Sequence, residues 1–101
     1  MKVAIETLLE PKAHRHGRLC VAGTATTVHR IAVWYKMGWS AEEISRRYAH
    51  LPIANVYAAL AYYHANQDEI EVEIAADQTE ESRIEAEWLA ARREAEEKIA
   101  A

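Results

Sequence analysis

His14, His16 and Cys20 lie close together in the chain, and imidazole with thiolate is a zinc-ligand chemistry. The two histidines flank Arg15 and precede Gly17, a composition that reads as a solvated loop, so no metal is assigned there. The lone Cys20 cannot form an internal disulfide, which fits a reducing cytoplasm. His29, His50 and His64 are scattered and are expected to cap, pack or face water. Asp68, Glu69, Glu71 and Glu73 crowd together, yet no nearby His, Cys or glycine-rich loop completes a site around them. No catalytic residue, metal or cofactor is therefore expected, and the chain reads as a non-enzymatic binding protein.

The remaining chemistry is that of charge. Residues 1–50 carry eight Lys/Arg against four Asp/Glu, whereas residues 51–101 carry four against twelve. Such asymmetry points to a front half that tolerates nucleic acid and an acidic interaction segment behind it. Arg30, Lys36, Arg46 and Arg47 are the candidates to hold a DNA backbone. Asn55 is the candidate to pair with adenine, and Tyr57 to meet a phosphate or a thymine methyl. Against this, Pro52 to Gln67 contains no Lys or Arg.

These side chains need a scaffold, and the residue pattern supplies a mainly α one. Val3–Thr7 and Leu19–Val21 alternate weakly and predict two short N-terminal strands, paired with each other or with a partner chain. Thr27 is a suitable cap for a first helix whose inner face is Val28, Ile31, Ala32 and Tyr35, and which Gly38 ends. Ser40-Ala41-Glu42-Glu43 reads as a capping box opening a second helix with Ile44 and Tyr48 on its apolar stripe. Trp39 is placed to staple that start. His50-Leu51-Pro52 closes the second helix, and Pro52 suits the first turn of a third, with Val56, Ala59, Leu60 and Tyr63 facing the core. Three helices with a short turn between the last two form a helix-turn-helix, whose third helix is the one to enter a DNA groove.

Three blocks carry a resemblance: G-R-L-C-V-A-G-T, then V-W-Y-K-M-G-W-S-A-E-E-I, then Y-A-H-L-P-I-A-N-V-Y-A-A-L-A-Y-Y-H-A-N. In this order and spacing, over roughly residues 5–75, they resemble the domain-of-unknown-function 433 family, which is similar to small bacterial Vap-type antitoxins. The resemblance implies a homeodomain-like helix-turn-helix, with a short N-terminal β-hairpin or paired strands that help form a homodimer; the C-terminal helix is read from the residues beyond it. It also implies a PIN-like ribonuclease toxin as partner and the protein's own promoter DNA as a second one. The sequence departs from the family at Ala25, where a G-T-R-I pattern has arginine, so any phosphate or inter-subunit contact of that arginine is absent.

Residues 78–101 are expected to form an acidic amphipathic helical tail beyond a domain over 1–77, with a helix start near Thr79. Asp68–Ile74 alternates like a strand, but its glutamates and position favour a continuing helix. Ile84, Trp88, Ala91, Ala95 and Ile99 recur at spacings of four, three, four and four, a narrow apolar seam on a charged helix. Two occupants suit it. In an antitoxin-like protein the tail clamps the toxin, burying Ile84, Trp88, Leu89, Ala91, Ala95 and Ile99. In a structural or assembly protein the tail pairs with its own copy, giving a homodimer or higher homo-oligomer without toxin or DNA. No apolar run reaches the ~18 residues that a bilayer demands, and no membrane partner is expected.

Overall fold

The computed structural model describes residues 2–100, so Met1 and Ala101, the outer ends of the two expected domains, lie outside the described residues. Contacts divide the chain after Ile70 into two compact units. In the first, Thr27 and Ser40 cap their helices as read. The capping box is only half made, because the Glu43 carboxylate goes to Arg46 and Arg47 rather than back to the Ser40 amide. Thr27 is extended and its Oγ1 accepts the Arg30 amide at 3.1 Å, opening α1 (Val28–Lys36). Ser40 accepts the Glu43 amide at 3.1 Å and opens α2 (Ala41–Arg47). Each hydroxyl satisfies one of the amides that a first helical turn leaves without a carbonyl. Gly38 adopts a φ of 100°, and its amide donates to the Tyr35 carbonyl at 2.9 Å, which ends α1.

Between α2 and α3 (Ile53–Ala65) the turn is pinned from inside. The Leu51 amide donates to Tyr48 O and the Ser45 hydroxyl to Leu51 O, both at 2.8 Å, while the Leu51 side chain is fully buried. Pro52 stands at the cap with ψ of 145°, one residue ahead of the first helical turn expected for it. This is helix-turn-helix connectivity. α3 is the central element, packing on α1, on α2 and on the N-terminal strands. Val56, Ala59, Leu60 and Tyr63 face inward as expected, against Val28, Ile31, Ala32, Ile44, Cys20 and Val21 in one buried core.

The strands are a partial correction. Leu19–Val21 is β2, as read, but Val3–Thr7 is not a strand: Ile5–Leu8 turns as a 3-10 helix and β1 is Leu9–Pro11. Alternation marks a strand only where one face is covered, and Val3 and Ile5 are 68% and 73% exposed. β1 and β2 pair antiparallel, Leu9 opposite Val21 and Pro11 opposite Leu19. The Glu10 carboxylate accepts from the Gly23 amide at 2.9 Å and ties β1 to the loop after β2. Tyr35, expected in the core, is instead exposed. It meets Tyr63 edge-on at 6.2 Å between centroids, because Tyr63 from α3 fills the inner position.

The second unit belongs to α4 (Gln67–Ala100), which follows a break at Asn66. Asp68–Ile74 is helical, as favoured. The helix start expected near Thr79 is absent, because the Thr79 hydroxyl donates to the Ala75 carbonyl at 3.0 Å as a mid-helix residue does. Ile70 and Ile74 are buried, whereas every residue described from Gln78 to Ile99 is exposed. Among the described residues no helix is long and apolar enough to cross a membrane.

Candidate functional site

The cations expected to hold DNA are divided by the fold. Arg46 and Arg47, on the last turn of α2, both pair with the Glu43 carboxylate, Arg47 Nε at 2.7 Å. Arg47 also lies over the Trp39 ring at 4.3 Å from its centroid. The spacing Glu43-x-x-Arg46-Arg47 places these groups on one helical face, so one carboxylate offsets part of the charge of two arginines and a net positive charge remains. Lys36 sits on the last turn of α1, where it suits the helix dipole. Arg30 points elsewhere, into a cleft shared with Arg15.

The α3 residues fare similarly. Asn55, expected at adenine, donates its amide to the Leu8 carbonyl at 2.9 Å and so links α3 to a turn 47 residues earlier. Tyr57 is exposed as a groove-facing residue should be, but its hydroxyl donates to Glu42. This bond raises the Tyr57 pKa and lowers that of Glu42, and it sets a carboxylate on the outward face of the helix-turn-helix. A carboxylate there opposes phosphate. Asn55→Ala should cost about 1–2 kcal/mol, since it strands a part-buried carbonyl. A thermal melt checks this; a base-reading Asn55 would leave stability unchanged and lower only DNA affinity.

Acid should expose the role of Glu43. Its hydrogen bonds to Arg47 and Arg46 hold its carboxyl below the usual range, and Lys12 with the Gly23 amide does the same for Glu10. A carboxyl with a depressed folded pKa stabilises the fold above its unfolded pKa and loses that contribution as pH falls through the folded value. The melting temperature should therefore hold above about pH 5 and fall below about pH 4. Glu43→Gln should flatten that acid limb in melts taken across the range.

An aromatic cluster joins α1 to α2, and only part of it was expected. Trp34 stacks on Tyr48 with centroids 4.4 Å apart, and on Trp39 at 5.9 Å. The expected core assigned Tyr35 to the inner face and gave Trp34 no place. The signal was Trp34 and Trp39 standing on either side of Gly38, whose bend folds one ring onto the other. Beside this cluster opens a cleft of about 510 Å³, lined by Arg15, Arg30, Trp34, His50 and the loop 23–27, which includes Ala25.

His14 and His16 are exposed, and Cys20, the middle residue of β2, is buried, which pushes its thiol pKa up. Among the described residues no three His, Cys, Asp or Glu side chains group as a metal site.

The model of the family described as a protein of unknown function, DUF433, matches residues 12–63. The chain belongs to the DUF433 family. The DUF433 match runs from Lys12, just after β1, to Tyr63 near the end of α3, so it takes in the cleft, the aromatic cluster and the helix-turn-helix. α4 lies beyond the DUF433 match. No curated protein matches the chain. No solved structure matches it either.

The expected tail residues all lie on α4. Ile84, Trp88, Leu89 and Ile99 are 53%, 58%, 46% and 85% exposed. At 3.6 residues per turn, Ile84, Trp88, Ala91, Ala95 and Ile99 fall within one narrow stripe, and Leu89 lies well to its side. Buried Ile70 and Ile74 fall on the same stripe, with Asp77 and Glu81 between the two apolar groups.

Proposed function

We propose that this protein is a non-enzymatic binding protein of antitoxin type, whose acidic α4 seam clamps a PIN-like ribonuclease. The observation that carries the reading is the run of large apolar side chains, Ile84, Trp88, Leu89 and Ile99, left in water on one regular helix. Patches of this kind mark interaction surfaces. Charge selects the partner. Residues 71–101 carry ten Asp/Glu against four Lys/Arg, and an enzyme that grips RNA is basic where it does so. Promoter DNA is the secondary partner. Glu42, bonded to Tyr57, opposes its docking through α3, so that contact falls to Arg30 and Lys36 or to a dimer that doubles the surface.

Self-assembly through α4 is the second reading. It is favoured by Ala91 and Ala95 on the seam, which let two helices approach closely. Co-expression with the product of the neighbouring gene, co-purification and a light-scattering mass decide between them. A stoichiometric complex with a masked nuclease is expected. A discrete homo-oligomer that excludes the neighbour overturns the antitoxin reading in favour of assembly.

A further inference from the structure

The cleft beside the aromatic cluster is lined by arginine and by no carboxylate. The chain is acidic overall, and Arg46, Arg47, Arg83 and Arg92 each pair with a glutamate. Arg15 and Arg30 pair with no carboxylate among the described residues, and both line this cleft. No Asp or Glu lines it with them, and the carboxylate bonded to its loop, Glu10, is already matched by Lys12 at 2.6 Å. Two arginines with local charge unspent make an anion site, and their planar forks suit the oxygens of phosphate. The rest of the wall is of another kind. Trp34 and His50 supply flat apolar and amphipathic surface, and about 510 Å³ falls within the ~300–1,000 Å³ typical of small-molecule sites.

We propose that this cleft binds a nucleotide, its phosphate held by Arg15 and Arg30 and its base against Trp34 and His50. The nucleotide is either free or part of a nucleic-acid strand, since both offer the same phosphate beside the same planar base. The site is independent of the α4 seam. It sits away from the outward residues of α3, and it places nucleic-acid chemistry on α1 and the strand loops. Ala25 lines the cleft at an exposed position, so a glutamate in its place would bring a carboxylate to the two arginines.

The test is titration of the full-length protein, followed by NMR, with AMP, with adenosine and with a short single-stranded oligonucleotide. AMP and the oligonucleotide should shift the amides of Thr24–Thr27 and the Trp34 indole, and adenosine should not. The double variant Arg15→Gln/Arg30→Gln should weaken binding about tenfold or more, and raising salt should weaken it in the wild type as well. Ala25→Glu, which leaves both arginines in place, should have the same effect. Circular dichroism confirms that each variant is folded. Affinity for the oligonucleotide well above that for AMP assigns the strand as source, and comparable affinity assigns the free nucleotide. The proposal is overturned if neither ligand shifts these residues at about 10 mM, or if both variants bind as the wild type does.

Discussion

Ile31→Ala should destabilise the helical core unit by about 2–5 kcal/mol, the range for removing a buried aliphatic side chain from a site that cannot collapse. Ile31 is fully buried on α1, on the face that packs against α3, and its neighbours Val28, Ala32, Val56 and Ala59 are buried as well. None of them can follow the retreating side chain without dragging its helix. Against a total stability of about 5–15 kcal/mol for an ordinary domain, this is a large fraction. Urea unfolding should show a lower midpoint with an unchanged slope, and Ile31→Val should cost only about 0.5–1.5 kcal/mol. A loss under about 1 kcal/mol for the alanine variant would show that α1 is not clamped between α3 and the strands.

The features legible beforehand were those whose cause is local. Thr27 and Ser40 each cap a helix through an amide three residues away, and Gly38 ends α1 through its own backbone freedom. The inner face of α3 was readable because Val56, Ala59, Leu60 and Tyr63 repeat at the helical period. What escaped depends on distant partners. β1 sits at Leu9–Pro11 because β2 pairs with it there and because Glu10 reaches Gly23, and no period in Val3–Thr7 reports that. Asn55 looked like a base reader for its amide, but Leu8 takes the amide from across the fold. The cleft was hidden for the same reason, since Arg15 and Arg30 converge only after the strands and α1 have packed. Glu43 with Arg46 and Arg47 is the opposite case: the pairing is written in their spacing, which draws both arginines onto one carboxylate.

Trp88→Ala should reduce affinity for a partner seated on α4 by about 100-fold or more, the loss expected for a central aromatic anchor. Trp88 is the largest apolar side chain on the seam, 58% exposed, with Arg92 resting 5.5 Å from its ring centroid. Covering that ring buries a large, rigid apolar surface in the middle of the seam, and tryptophan concentrates binding energy for that reason. The same exposure predicts what should not change. Trp88 is not among the buried core residues, alanine is a better helix former than tryptophan, and the melting of the core unit should stay at the wild-type temperature. Leu89→Ala, to the side of the stripe, should have a smaller effect on affinity, and Arg92→Gln should change mainly its salt dependence. Pull-down titration of the co-purified partner measures the first quantity, and calorimetry of the free protein measures the second. A Trp88→Ala protein that keeps its affinity would remove the seam as the docking surface, whereas one that instead loses its own oligomer would assign the seam to a second copy of this chain.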